Sequence, residues 1–153
     1  MGNFMSTIFG TGHRPEDCED EKIVREKIRA ALVELAPGKV ITGMASGFDL
    51  YFGNEALDMG IEVIAAKPWA GHKSRRGEES EYARIIENAV EVVNVNVSAT
   101  YLGPWLYHNR NKWMVDNANE GLCYWNGHES GGTYACLQYA KTKYRKVTNC
   151  YGL

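Results

Sequence analysis

The sequence has no apolar run approaching the roughly 20 residues that span a bilayer, and none of its four cysteines forms a CxxC pair. It has no marked excess of either charge: 17 basic and 19 acidic residues give a net charge of −2. Each absence excludes a class. Without a long apolar stretch, and with no basic-then-apolar leader over residues 1–7, neither a membrane span nor a signal peptide is expected. Cys18, Cys123, Cys136 and Cys150 are scattered along the chain. That spacing argues against a disulfide framework and against a cysteine zinc site, and it suits a reducing cytoplasm. No metal and no cofactor is expected. The charge balance leaves no basic coat for nucleic acid, which is not an expected partner on this ground. Two phosphate-loop signatures are missing as well, since neither GxxxxGK[ST] nor GxGxxG occurs.

What is present is a chain of 153 residues, 44% hydrophobic and 24% charged, which fits one folded domain over 1–153. β-type runs alternate with helical patterns, and there is no internal repeat. Strands are expected at 7–11, 39–42, 62–66, 91–94, 121–125 and 146–149. Helices are expected at about 20–35, 48–59, 78–89, 107–119 and 133–143. The first shows the clearest apolar stripe, through Ile23, Val24, Ile28, Ala31, Leu32 and Leu35, and Pro37-Gly38 stops it. This alternation predicts βαβ units: an α/β domain with a parallel, Rossmann-like sheet and helices on both faces. Ligands of such sheets bind beyond the carboxyl ends of the strands.

Three loops after strands carry the unusual residues. They are Gly10-Thr11-Gly12-His13-Arg14-Pro15, Thr42-Gly43-Met44-Ala45-Ser46-Gly47-Phe48-Asp49, and Gly127-His128-Glu129-Ser130-Gly131-Gly132-Thr133. Glycine allows a ligand to approach backbone N–H groups closely, and a helix N-terminus adds unpaired donors and partial positive charge. Such a combination can hold phosphate. A plainer reading stands beside it: Ser46 and Thr133 as N-caps, Arg14 as a solvated cation, His13 as a turn residue, and Asp49 as a carboxylate favoured by the helix dipole.

The loops resemble those of the SLOG superfamily, which joins LOG phosphoribohydrolases, DprA/Smf proteins, YpsA-like proteins and nucleotide-sensing domains of bacterial immunity. The YpsA-like branch is the nearest. The resemblance rests on Gly12-His13-Arg14-Pro15, on the segment from Gly43 to Asp49, on Asn109-Arg110-Asn111-Lys112-Trp113-Met114-Val115-Asp116, and on Gly131-Gly132-Thr133. It implies a Rossmann-like fold with a pocket for a nucleotide or a nucleotide-derived ligand. In that pocket Gly131, Gly132 and Thr133 would hold phosphate, with Gly12, His13, Arg14, Asn109 and Arg110 beside the ligand. Ser46, Gly47 and Asp49 would flank the sugar, and Gly43 would also lie beside the ligand. LOG enzymes carry a glutamate three residues after the threonine; here that position is Cys136.

Two functions follow from the resemblance. In the first, the protein is a sensor or sequestering protein for a small nucleotide-derived ligand, and the missing glutamate favours it. In the second, it is an N-glycosidase acting on a nucleoside 5′-monophosphate, which would need another carboxylate at the sugar: Glu78, Glu81, Glu129 or Asp49. A DprA-like role in DNA handling is a third reading, and the lack of a basic groove argues against it. Of the clustered aromatics Tyr101, Trp105, Tyr107, Trp113, Tyr124 and Trp125, the sequence suggests Trp113 and Tyr124 for the core. It suggests Trp105 and Tyr107 for a base-stacking wall or for the interface of a homo-oligomer. The basic run His72-Lys73-Ser74-Arg75-Arg76 reads as a solvated charge run or as a lid.

Overall fold

A computed structural model describes residues 6–153. The opening segment, residues 1–7, which was read for a leader, lies mostly outside the described residues. Strand β1 (Thr7–Gly12) is followed by helix α1 (Glu21–Leu35), β2 (Lys39–Thr42), α2 (Phe48–Asp58), β3 (Glu62–Lys67) and α3 (Glu79–Asn88). Then come β4 (Glu91–Asn94), α4 (Trp105–Asp116), β5 (Glu120–Tyr124), α5 (Gly131–Thr142) and β6 (Lys146–Asn149). The strands form one sheet in the order β4-β3-β2-β1-β5-β6, and every pairing is parallel. This is the Rossmann-like α/β architecture that the alternating pattern predicted.

The period-two alternation of the strands divides the core between two faces. Ile8, Val40, Val63, Ala65, Leu122 and Tyr124 point to one side, where they pack with Val24, Ile28 and Leu32 of α1, with Phe48 and Phe52 of α2 and with Ile85 of α3. Phe9, Ile41, Ile64 and Ala66 point to the other side, against Met114 and Val115 of α4 and Cys136 and Ala140 of α5. Both faces of the central strands are covered, which is why they read as continuous apolar runs. Among the described residues no helix is long and apolar enough to cross a membrane.

Element boundaries depart from expectation mainly at α4 and α5. Helix α4 begins at Trp105, directly after Pro104, because Leu106 is buried and draws that turn into the core. It ends early because the Asn117 side-chain amide donates to the Trp113 carbonyl at 2.8 Å and closes the last turn. Helix α5 begins at Gly131, after an extended Ser130.

Helix α2 lies directly on the end of β1. A Cβ on Gly10 would sit 2.5 Å from two ring carbons of Phe52, and one on Gly12 would collide with the Phe48 ring. These two glycines therefore let the helix approach the strand. Gly10→Ala is expected to destabilise the fold by about 1–3 kcal/mol through overpacking. Equilibrium urea unfolding would measure it, and an unchanged midpoint would show that α2 can move aside.

Candidate functional site

The sheet order reverses at β1: β2, β3 and β4 extend to one side and β5 and β6 to the other. Beyond the carboxyl ends of the strands at this switch point lies a cleft of about 690 Å³. Its lining includes Thr11 and Gly12 at the end of β1, His13 and Arg14 just after it, Ala45 in the loop before α2, Asp49 in the first turn of α2, and Tyr107, His108, Arg110 and Asn111 of α4. Asn126, His128, Ser130, Gly131, Gly132 and Thr133 close it from the β5 side. Of the residues expected to bind ligand, Gly12, His13, Arg14, Asp49, Arg110, Gly131, Gly132 and Thr133 are thus brought together.

The rest fall elsewhere. Gly43 lies behind the cleft wall: its carbonyl accepts from Arg110 Nη1, and a Cβ there would sit 2.8 Å from both the Arg110 guanidinium and Asp49 Oδ2. Gly47, with φ of 84°, precedes α2, and a Cβ there would lie 2.6 Å from the His13 carbonyl oxygen. Both glycines serve close backbone packing. Asn109 is exposed and outside the lining, because on α4 the cleft side is the face of Tyr107, Arg110 and Asn111, spaced three and four apart. Glu81 and Glu129 are exposed and line no described cavity near the cleft. Neither Ser46 nor Thr133 is an N-cap; Gly47 and Ser130 hold those positions, and no side chain caps either helix.

Arg110 and Asp49 form the buried electrostatic centre, each 5% exposed. Arg110 Nε donates to Asn111 Oδ1 at 3.0 Å, and its guanidinium lies 5.8 Å from the Tyr107 ring centre. Among the described residues Nη2 has no hydrogen-bond acceptor. Asp49 Oδ2 accepts the Ala45 N–H at 3.2 Å. Burial pushes the Asp49 carboxyl up to about 6, although the Arg110 charge and the Ala45 N–H pull the other way. A carboxyl group titrating there can give or take a proton near neutral pH. His13 is committed differently: its Nε2 accepts the Asn126 backbone N–H at 2.9 Å, and burial lowers its pKa. The ring is therefore neutral and ties the β1 loop to the β5 loop.

Cys136 lies at the base of this centre, 1% exposed. Burial pushes its thiol up to about 12, against the pull of a hydrogen bond with Thr11 and of the Arg110 charge. It is neither a nucleophile nor a base at neutral pH. No three His, Cys, Asp or Glu side chains stand together as a metal site among the described residues.

A second pocket of about 270 Å³ adjoins the cleft and shares Arg14, Ala45 and Tyr107 with it. Ser46, Trp69, His72, Arg75 and Glu78 are among its other lining residues. Sequence reasoning missed Trp69 and misread His72. The ring of Trp69 packs on Tyr101 and Tyr107, with centroids 5.2 and 5.6 Å away. Tyr107 is thus part of an aromatic wall, whereas Trp105 is 44% exposed and lines neither cavity. Trp113 is partly buried and Tyr124 fully buried, as expected. The basic run is not simply solvated. Arg75 makes a two-pronged bond to Glu16, at 2.8 and 3.0 Å, and holds the Glu16 carboxyl down at about 2.

His72 is 9% exposed. Tyr82 Oη donates to the His72 carbonyl at 3.0 Å and lies 2.8 Å from His72 Nδ1. Since the phenol proton is committed to the carbonyl, Nδ1 carries hydrogen and donates to the phenol oxygen, and Nε2 holds the lone pair. Burial, with smaller contributions from Arg110 and Lys67, lowers the His72 pKa to about 4. The unfolded chain therefore binds a proton here, near its ordinary pKa of about 6.5, before the folded one does. Stability from this group is fully present above about pH 6.5 and is lost at up to about 1.4 kcal/mol per pH unit as pH falls toward 4. Urea unfolding at pH 7 and pH 4.5 should show a smaller acid loss for His72→Gln than for the parent; equal losses would reject this assignment.

No protein-family model and no curated protein matches the sequence. Solved structures do. DNA processing protein A (DprA) from Streptococcus pneumoniae superposes with a TM-score of 0.64 at 15% identity, over 92% of this chain and 49% of that one. The chain thus spans about half the length of that protein. Protein TM1055 gives 0.63 at 14% identity, over 94% of this chain and 72% of that one. DNA processing protein A from Helicobacter pylori, whose structure is described for its single-stranded DNA binding mode, gives 0.67 at 11% identity, over 93% and 64%. This last neighbour overturns the expectation that nucleic acid is no partner for such a chain. Net charge was the wrong guide, since a neighbour of this fold binds a single strand. At these identities the likeness is one of fold: the chain has a Rossmann-like α/β fold in common with these proteins.

Proposed function

We propose that the cleft binds a nucleotide or nucleotide-derived ligand and that the protein acts as a sensor or sequestering protein for it. One observation carries the reading: the N-terminus of α5, with no side-chain cap, opens into the same cleft as Arg14 and the buried Arg110. The backbone N–H groups of Gly131 and Gly132 and the Thr133 hydroxyl then hold a phosphate, and the helix dipole adds to the attraction. The sugar lies toward Asp49. The ligand is a free nucleotide or one unit of a single strand, the second suggested by the H. pylori neighbour. The His13-Arg14-Pro15 motif favours the YpsA-like branch. The exposed Tyr101, Leu102 and Trp105 favour a homo-oligomer.

The position of Asp49 favours a second reading, hydrolysis of the N-glycosidic bond. Water would add to the anomeric carbon as the carbon–nitrogen bond breaks and the base leaves with a proton. Cys136 supplies no carboxylate for this. Among the carboxylates named from sequence, Asp49 lines the cleft, Glu78 lines the adjoining pocket, and Glu81 and Glu129 line neither.

Calorimetry with nucleosides, their 5′-monophosphates and a short single strand tests the binding reading. A monophosphate should bind at least about ten-fold more tightly than its nucleoside, the range of one or two charge-assisted hydrogen bonds. Equal affinities would sink the phosphate site. Gly132→Val should remove that advantage without unfolding the chain, because a Cβ at Gly132 stands in open space, with no neighbouring atom from the rest of the fold within 4 Å.

Chromatography of the incubated monophosphates separates binder from enzyme. The binder reading expects each to be recovered intact. Multiple-turnover release of free base, lost in Asp49→Asn with binding retained, would establish the hydrolase instead.

A further inference from the structure

The exposed apolar side chains are not spread evenly over the molecule. Among the described residues, six of the eleven large exposed hydrophobics lie between residues 90 and 105: Val90, Val92, Val97, Tyr101, Leu102 and Trp105. The same stretch is almost free of charge. From Ala89 to Trp105 the sequence carries one charged side chain, Glu91, although 24% of the whole chain is charged. Apolar surface gathered in one place, with so little charge among it, marks an association site.

This surface includes an open strand. β4 is the last strand of the sheet and pairs with β3 alone. Its Glu91, Val92 and Asn94 are exposed, so its outer edge is a template for another strand. The opposite edge strand differs: β6 opens on Lys146 and follows Lys141, Lys143 and Arg145. Lysines of that kind guard an edge against pairing, and β4 has none. The segment after β4 is held on its inner side. The Ala70 N–H donates to the Asn96 carbonyl at 2.9 Å, and the Gly71 N–H to the Ser98 carbonyl at 3.2 Å. That segment then enters the aromatic wall, where Tyr101 packs on Trp69 of the second pocket.

Resting on the homo-oligomer reading above, we propose that β4 pairs antiparallel with β4 of a second copy of this chain, joining the two sheets into one. The strand is its own complement. A two-fold axis through Val92, which is 40% exposed, sets that side chain against Val92 of the second copy. Glu91 then stands opposite Val93 of the second copy, and Val90 opposite Asn94, so the two carboxylates do not oppose each other. Each chain uses its one unguarded edge, and the assembly closes at two.

Light scattering on the parent and on Val92→Lys tests the proposal. A seam built on a four-residue strand belongs to the small end of specific interfaces, so the concentration series reaches hundreds of micromolar. The parent should rise from 17.1 kDa toward twice that mass. Val92→Lys should weaken association at least about ten-fold, because it sets two like charges face to face. Its circular dichroism should match the parent's, since the replaced side chain is already exposed. A parent that stays monomeric would overturn the seam and the homo-oligomer together. A dimer left intact by Val92→Lys would overturn the seam and leave the oligomer standing. Growth beyond two copies would overturn it too, in favour of β4 pairing with β6 of the next chain. Should Val92→Lys fail to fold, hydrogen exchange on the parent decides. The β4 amides should exchange at least about ten-fold more slowly in the concentrated protein than in the dilute one, and equal exchange would overturn the pairing.

Discussion

The Phe48 ring lies against Gly12 where a Cβ would otherwise stand, and the Phe48 backbone N–H donates to the His13 carbonyl at 3.0 Å. Both candidate cavities depend on this contact. It brings the N-terminus of α2 onto the end of β1, so the loop from Gly43 to Gly47 lies beside His13, Arg14 and Pro15. The missing side chain of Gly47 completes the fit, since a Cβ would press on the same carbonyl. Met44, in a left-handed conformation with φ of 65°, turns within this loop. Such strained backbone persists only where its surroundings hold it. Here the Met44 side chain is buried in the core and lines the second pocket. The glycines that resemble a ligand-approach motif therefore act first as packing devices.

On the other side of the cleft the governing effect is the competition between burial and attraction at Asp49 and Arg110. Desolvation disfavours the charged form of each, and each favours the charge of the other. Desolvation is the larger influence on Asp49, so its carboxyl titrates near 6 instead of below 4. Arg110 is held by the Gly43 carbonyl and by Asn111, which fixes its guanidinium at the cleft wall without a search among rotamers. This preorganisation suits the recognition of an anion. It also explains why a buried thiol at Cys136 is compatible with the site: the position supports the floor of the cleft and needs no charge of its own.

The loop after β3 was the least legible part of the chain. As a string, His72 to Arg76 is a run of polar and basic residues. In the fold its members separate by role: His72 turns inward onto Tyr82 and Trp69, while Arg75 reaches across to Glu16. Nothing in the polar run itself distinguishes an inward histidine from a solvated one, because its hydrogen-bond partner Tyr82 belongs to the following helix and Trp69 stands ahead of the run in the same loop. Asn111 was closer to legible. It lies four residues after Tyr107, on the helix face that also carries Arg110.

Periodicity in the sequence determined the alternating strands and helices, the parallel sheet, the two-sided core and the edge on which the three loops gather. Those features depend on side-chain patterns repeated within short windows, so local order along the chain contains them. The sequence also named most of the residues that line the cleft, because residues just after parallel strands must lie at one edge. Tertiary structure alone decided which of them face the cavity. It set Asn109 on the outer side of α4 and Asn111 inward, left Glu129 in solvent, and placed Glu78 beside Ser46 across 32 residues of chain. It alone also decided the burial that sets the titration of Asp49 and His72. Solvent exclusion arises from every element packed around a group, and no stretch of sequence around that group records it.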